Sequence, residues 1–286
     1  MRAIDRILRA TILLLPMVTI GAAASSGLSE CRDDWICVDE FRLGDDRVEI
    51  HARNLRDFPV TYTLAIDTES FRVEGETIVT GTLGPYTSEQ AMLLTPLSGG
   101  SDADYSYRLN WTVGDRHADH DDDHVYALPY ANGTSHRVLQ GYRSSFSHRG
   151  PEEFAVDFAM PEGTPIYAAR GGIVALVEES NTIGCTEPGC TRFANYIVVL
   201  HSDGTTGQYY HLKKDGAFVE VGESVRQGQR IGLSGNTGHS STPHLHFAVY
   251  RASSWGTTQS IPVRFISADG IVSTPRRGSR HLALHL

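Results

Sequence analysis

Two histidines separated by one residue, His244 and His246, lie in an apolar stretch that predicts a β-strand. Because side chains alternate between the faces of a strand, both imidazoles project from one face, while Leu245 and Phe247 project from the other. Two neutral imidazoles on one face can supply half of a metal site. The turn-forming residues 238–243 precede the strand and place the pair near its mouth.

Two segments upstream offer the remaining parts of such a site. His148 precedes an apolar run that predicts a buried strand and contains Asp157. A buried carboxylate is costly unless it is ion-paired, hydrogen-bonded or bound to metal. A further short strand carries His211, which we expect to face the same way as Tyr209. One carboxylate with several histidines on neighbouring strands suits a catalytic zinc site that has three protein ligands and an open position for water.

These residues resemble the lysostaphin-type or LytM-like zinc metalloendopeptidases, which cut peptide bridges in bacterial cell walls. The resemblance covers residues 126–250 and includes three further segments in the family's order, at 163–174, 195–201 and 225–232. It implies one Zn²⁺ ion per chain. The implied metal ligands are His148, Asp157 and His246, and the implied unligated catalytic histidines are His211 and His244.

The spacing departs from the family at one point, because eight residues separate His148 from Asp157 where the family usually has three. Residues 149–153 are therefore interpreted as a loop insertion. Glu152 and Glu153 would be the competing oxygen ligands if His148 were displaced, but a charged pair in a proline-containing loop is expected at the solvated surface. A helical His-Glu-x-x-His motif is absent, which argues against a thermolysin-type peptidase.

The N-terminus and the cysteines indicate an exported protein. Residues 1–24 combine arginines, an apolar run too short to span a bilayer, and small residues, which is the pattern of a secretory signal peptide. We expect a periplasmic or secreted protein with no integral membrane segment after cleavage. Export favours disulfides between the close pairs Cys31 with Cys37 and Cys185 with Cys190. A four-cysteine zinc site is the alternative, but its spacing is unsuitable.

The predicted fold class is all-β. About seven short strands with alternating polar and apolar residues within residues 25–116 predict an immunoglobulin-like β-sandwich. This domain would serve as a spacer or lid for the catalytic domain, or it would bind the cell wall or a protein partner. A linker is predicted over 117–135, a LytM-like catalytic domain over 136–270 and a basic tail over 271–286. The resemblance implies a mostly antiparallel catalytic sheet of the duplicated hybrid motif type.

Two segments outside the domains carry histidines. The run from His117 to His124 alternates His and Asp and could bind a metal, but such a polar run between a strand and a proline is typical of a solvated connector. The tail from Pro275 is expected to be disordered, although Leu282, Leu284 and Leu286 leave docking open.

The net charge of the chain narrows the classes of molecule that it is expected to bind. The formal net charge of the chain is −9 and no basic stripe exists, so nucleic acid is not expected to bind. The resemblance implies hydrolysis of peptide cross-links in peptidoglycan, with stem peptides held in a groove. In a Gram-negative periplasm the expected target is the D-alanyl–diaminopimelate bridge, and glycyl bridges and small secreted proteins stay open as alternative substrates. A regulatory protein partner also stays open. The alternatives are a catalytically silent activator of cell-wall amidases and a periplasmic metal-binding protein. Every expected ligand position is filled, which favours the enzyme.

Overall fold

The computed structural model describes residues 27–97 and 104–285. The predicted signal peptide, residues 1–24, lies outside these ranges. Within them the chain is built of strands, joined by loops and three short 3-10 helices, so the predicted all-β fold class is confirmed. No helix in the described ranges is long and apolar enough to cross a bilayer.

The first eight strands form two antiparallel sheets. These strands are β1 (Leu28–Arg32), β2 (Ile36–Arg42), β3 (Val48–Asn54), β4 (Val60–Asp67), β5 (Phe71–Val73), β6 (Ile78–Leu83), β7 (Ser88–Pro96) and β8 (Ser106–Val113). Their order is β1-β2-β3-β7-β5 in one sheet and β6-β4-β8 in the other. Alternate side chains such as Ile50 and Leu64 meet in one core between the sheets. The two sheets therefore form a sandwich, and its immunoglobulin-like assignment stays a prediction.

The rest of the chain forms the domain that carries the site. Its strands are β9 (Val125–Ala127), β10 (Ser135–Gln140), β11 (Val156–Ala159), β12 (Pro165–Tyr167), β13 (Gly172–Glu178), β14 (Gly184–Cys185), β15 (Tyr196–Leu200), β16 (Thr206–Tyr210), β17 (Leu212–Ala217), β18 (Ser224–Val225), β19 (Arg230–Ser234), β20 (Gly238–His239), β21 (His244–Ala252), β22 (Thr258–Ile261), β23 (Arg264–Ser267), β24 (Gly270–Val272) and β25 (Arg280–Leu282). The 3-10 helices are Gly150–Glu152, Pro188–Phe193 and Ser254–Gly256.

A nine-stranded antiparallel sheet organises this domain. Its order is β18-β13-β15-β16-β21-β11-β10-β25, with β22 paired to β21. Leu245 and Phe247 point from one face into the main hydrophobic core, as predicted from strand alternation. The opposite face carries polar side chains, because Asp157 and Tyr210 lie in register with His246 on either side of β21.

The predicted linker over 117–135 is partly wrong. Tyr126, Leu128 and Tyr130 are fully buried in the core of the second domain, and β9 pairs with β23 in a parallel arrangement. These three apolar residues recur at every second position, which is a strand pattern that the intervening Ala127 and Pro129 obscure. The connector between the domains therefore ends before Val125.

The expectation of a disordered basic tail was wrong. β25 pairs with β10, with Arg280 opposite Arg137 and Leu282 opposite Ser135. Ala283 is buried in the main core. An unpaired β10 would leave the sheet with an open edge, and the tail covers it, so residues 280–283 belong to the second domain.

The sandwich packs on the same face of the nine-stranded sheet that carries the polar site residues. Val198 and Leu200 of β15 lie in the sandwich core, and Val198 is in register with Gln208 of β16. The backbone N–H of Trp255 also donates to Oγ1 of Thr63, at 2.8 Å. The sandwich therefore packs on the same side of the sheet as the site, but none of its described residues lines the site pocket.

Candidate metal centre and active site

Three predicted metal ligands converge at one end of the nine-stranded sheet. Asp157 and His246 are register partners on β11 and β21, and Oδ1 of Asp157 is 2.9 Å from Nδ1 of His246. His148 enters from the loop before β11, and its Nε2 is 3.2 Å from Oδ1 of Asp157. One ligand atom from each side chain lies within 4.8 Å of the other two. The three residues can therefore hold one ion.

The environment of His148 fits a metal ligand. Its Nδ1 donates a hydrogen bond to the carbonyl oxygen of Gly141 at 3.0 Å, which turns Nε2 towards Asp157 and His246. Nε2 is buried and has no hydrogen-bond partner within the described residues. Such an orphaned acceptor is costly unless a cation fills the space in front of it. Two imidazoles and one carboxylate are a donor set that suits zinc.

The charges at this centre favour a bound cation. Burial opposes ionisation of Asp157, but the adjacent imidazoles of His148 and His246 hold the pKa of its carboxyl well below the usual range. Burial likewise opposes protonation of His246, yet its hydrogen bonds to Asp157 and Glu152 raise its pKa to about 10. A positive charge between the carboxylates of Asp157 and Glu152 is therefore stabilised, either as a proton on His246 or as a metal ion.

Two further histidines line the same pocket with one free nitrogen each. Nδ1 of His211 donates to the carbonyl oxygen of Thr237 at 2.7 Å, and Nδ1 of His244 donates to that of Thr242 at 2.7 Å. The ring centroids of His211 and His244 are 4.5 Å apart. Both Nε2 atoms are therefore left as potential proton acceptors, and Nε2 of His244 lies 3.8 Å from Oδ1 of Asp157.

Both of these histidines are held in the neutral form. Burial, with the neighbouring His244 and His246, lowers the pKa of His211 to about 3. Burial also lowers the pKa of His244, although the nearby Asp157 acts in the opposite direction. A neutral imidazole can accept a proton, so both residues are candidate bases, although the lowered pKa makes His211 a weaker base than an ordinary histidine.

The predicted orientation of His211 was wrong. Tyr209 points into the main core, whereas His211 lines the site pocket. β16 ends at Tyr210, and His211 adopts a φ of +66°, a conformation that non-glycine residues rarely adopt. This turn breaks the alternation of the strand and places the imidazole on the polar face.

The inserted loop supplies a second carboxylate near the centre. Glu152 lies in the 3-10 helix Gly150–Glu152, with Oε2 3.3 Å from Nε2 of His246 and in hydrogen-bond contact with the hydroxyl of Tyr250. It therefore contacts the ring nitrogen that faces away from Asp157. The expectation of a solvated pair holds only in part, because the side chain of Glu152 is 40% exposed yet contacts His246. Glu153 forms an ion pair with Arg143 at 2.7 Å.

Sequence reasoning missed two supporting residues. Nε2 of Gln140 donates to Oδ2 of Asp157 at 2.6 Å, and the hydroxyl of Tyr250 lies 3.2 Å from Nε2 of His246. The position of Tyr250, four residues after His246 on the same strand face, was a usable signal. No comparable signal existed for Gln140, because its contact depends on the bulged pairing of β10 with β11.

The site opens into a cavity of about 390 Å³. Its lining includes Asp157, His211, His244 and His246, together with the loop around Phe146. Phe146 is 84% exposed. A cavity of this size, with convergent polar groups and perturbed titratable residues, is typical of a site that binds a small ligand or a short peptide.

Other candidate metal sites are less well supported. Within residues 27–97 and 104–285, only two groups of three potential ligands come together, and neither includes the run from His117 to His124. In that run His120 contacts Asp122 and Tyr126, while His124 contacts Gln227.

The four cysteines form the two predicted disulfides. Cys31 is bonded to Cys37, and Cys185 is bonded to Cys190. The prediction of two local disulfides is thereby confirmed, and a four-cysteine zinc site is excluded.

Comparison with known proteins agrees with this geometry. Residues 152–259 match the model of peptidase family M23. The chain is 42% identical over 91 residues to the peptidoglycan DD-endopeptidase ShyA of Vibrio cholerae, a match that covers 32% of this chain and 18% of the relative. It is 35% identical over 153 residues to the glycyl-glycine endopeptidase ALE-1 of Staphylococcus capitis, covering 50% of this chain and 39% of the relative. The chain thus spans less than half the length of both curated relatives.

A solved structure also matches the second domain. The catalytic domain of lysostaphin from Staphylococcus simulans is 30% identical, with a TM-score of 0.32, over 44% of this chain and 87% of that chain. The matched segment of the family model contains Asp157, His211, His244 and His246. The chain therefore contains a peptidase M23 domain, which is homologous to those of ShyA, lysostaphin and the LytM-like peptidoglycan endopeptidases.

Proposed function

We propose that this protein is a zinc-dependent endopeptidase that hydrolyses peptide cross-links of bacterial peptidoglycan, at D-alanyl–diaminopimelate bridges. The convergence of five side chains on one pocket carries the proposal: His148, Asp157 and His246 as ligands, with His211 and His244 beside them. The matches to ShyA and to ALE-1, which are named for two different bonds, support an endopeptidase acting on the wall. The higher identity to ShyA favours the D-alanyl bridge.

The proposed division of labour follows from the hydrogen bonds. A zinc ion held by the three ligands supplies a Lewis acid for the scissile carbonyl and acidifies a water molecule. His211 and His244 hold their Nδ1 protons on backbone carbonyls, so each presents a bare Nε2 to the pocket. One Nε2 accepts the proton of the attacking water. A protonated Nε2 then returns it to the leaving amine or donates a hydrogen bond to the developing oxyanion.

Export is part of the proposal. The signal-peptide pattern in residues 1–24 and the two disulfides both suit an oxidising compartment outside the cytoplasm, where the wall is accessible. We place the protein in the periplasm or outside the cell.

The test is mass spectrometry of muropeptides from purified sacculi incubated with the zinc-loaded protein, beside the His246→Ala variant. We expect cross-linked dimers to disappear and new monomers to appear only with the unsubstituted protein, and the new termini identify the bond. An unchanged profile from a protein that binds one zinc ion per chain would contradict the proposal. Failure to bind zinc at all would support a silent activator of amidases instead.

A further inference from the structure

The rim of the site pocket carries two arginines, Arg137 and Arg277, that the proposed chemistry does not use. Arg137 lies on β10 next to Val138, whose side chain is buried in the main core. Because side chains alternate along a strand, Arg137 projects from the other face of the sheet, the face that carries Asp157. It therefore lies on the site side of the sheet, one strand away from a proposed metal ligand.

Arg277 reaches the same rim because the tail is fixed against β10. The N–H of Val138 donates to the carbonyl oxygen of Ser279 at 2.9 Å, and the N–H of Gly278 donates to the carbonyl oxygen of Val138 at 2.8 Å. The tail also passes so close to Gly141 that a Cβ there would lie 1.9 Å from the carbonyl oxygen of Pro275. Arg277 is thus held in place by backbone contacts on both sides.

The charge of these two side chains is uncompensated within the described part of the chain. Neither Arg137 nor Arg277 is among the arginines that pair with a carboxylate there. Asp157 is the one carboxylate that lines the pocket, and it is engaged by His148, His246 and Gln140. A positive rim on a chain with a net charge of −9 indicates that the ligand brings negative charge.

We infer that Arg137 and Arg277 form a carboxylate-binding subsite that holds a free carboxylate of the stem peptide next to the scissile bond; this rests on the proposed function. A guanidinium offers two parallel N–H donors to a carboxylate, which fixes its orientation as well as its position. Both arginines lie outside residues 152–259, so the subsite is built by segments that flank the part of the chain matched by the family model. It would select peptides that carry a carboxylate at that position.

The test measures binding, without turnover, by calorimetry on the zinc-loaded protein. The probes are a monomeric diaminopimelate-containing stem peptide with free carboxylates and the same peptide with its carboxylates amidated. We expect the peptide with free carboxylates to bind about tenfold more tightly than the amidated peptide, because one hydrogen-bonded charge pair contributes roughly that much to affinity. Arg137→Gln and Arg277→Gln should each remove most of this preference. Arg276→Gln is the matched control, because Arg276 is exposed on the same tail but does not line the pocket.

Two outcomes would overturn the inference. One is an equal dissociation constant for the two peptides, including no measurable binding of either. The other is an equal loss of preference in the Arg276→Gln control. The proposed function is judged separately, by release of monomers from sacculi. A carboxylate preference without cleavage would refute the reaction but support the subsite. Cleavage without a carboxylate preference would support the reaction but refute the subsite.

Discussion

Asp157 and His246 face each other across adjacent strands, with Oδ1 of the carboxylate 2.9 Å from Nδ1 of the imidazole. The second nitrogen of the same ring lies 3.3 Å from Oε2 of Glu152, which the inserted loop brings to the far side. The ring is therefore held by a carboxylate at each nitrogen. If Nδ1 of His246 and Asp157 hold the metal, Glu152 is the partner that would fix the orientation of the ring and raise its basicity.

This arrangement predicts that Glu152 positions His246 without binding the metal. Glu152→Gln should weaken zinc binding by about tenfold, at the low end of the effects known for such supporting residues, while the fold is kept. Zinc affinity is measured by competition with a chromogenic chelator. Glu153→Gln is the control, since Glu153 only pairs with Arg143 at the surface. Equal affinities for the two variants would refute the role of Glu152.

His246 and His244 should separate metal binding from catalysis. His246→Ala removes a proposed ligand, so bound zinc and activity should be lost together. His244→Ala keeps all three proposed ligands and should retain one zinc ion per chain, while the rate falls by about 100-fold or more, the usual contribution of a general acid or base. Zinc is measured by mass spectrometry and the rate by release of muropeptides. Equal zinc loss in both variants would overturn this assignment.

The sequence predicted the parts of the site that depend on one strand alone. His244 and His246 share a face, and Leu245 and Phe247 fill the core, because the alternation in β21 is regular. Asp157 was identified as a carboxylate within a buried strand, since its burial needs a physical reason. These predictions needed no knowledge of neighbouring strands.

The parts that depend on tertiary contacts could not be predicted. The orientation of His211 depends on a positive φ that its side chain does not favour, so the surrounding fold must impose it. Gln140 and Arg137 reach the site only through the pairing of β10 with β11 and β25. A basic, polar tail is typical of disorder, and only the open edge of β10 explains why this one is ordered.

The two disulfides should differ in their effect on the site. β14 pairs with β20 beside the disulfide between Cys185 and Cys190, and Nε2 of His239 donates to the carbonyl oxygen of Thr186 at 2.8 Å. Thr186 and His239 both line the pocket. Replacing this cysteine pair with serine should therefore raise KM for cross-linked peptides and lower the free energy of unfolding by about 2 kcal/mol.

The matched control is the double serine variant of Cys31 and Cys37. This disulfide joins β1 to β2 at the outer edge of the sandwich and closes a loop of nearly the same length. It should cost a similar amount of stability and leave KM unchanged. Stability is measured by urea unfolding under non-reducing conditions, and a KM that rises equally in both variants would show that the first disulfide has no specific link to the pocket.

Stability should fall in acid because His201 is buried in the neutral form. Burial, helped by the nearby Arg170, lowers its pKa to about 3, although a hydrogen bond to the carbonyl of Gly171 and the charge of Asp203 oppose the shift. Its Nε2 is buried without a hydrogen-bond partner in the described ranges. Below its ordinary pKa of about 6.5 the unfolded chain takes up a proton at His201 that the folded protein does not.

The loss of folding stability in acid has a defined direction and slope. Between about pH 6.5 and pH 3 the free energy of unfolding should decrease as pH falls, and His201 alone contributes up to about 1.4 kcal/mol per pH unit. His201→Gln should remove about one proton from this dependence, whatever its effect on stability at neutral pH. Urea unfolding of the metal-free protein at a series of pH values measures the slope, and an identical slope in both proteins would mean that His201 is already protonated in the folded state.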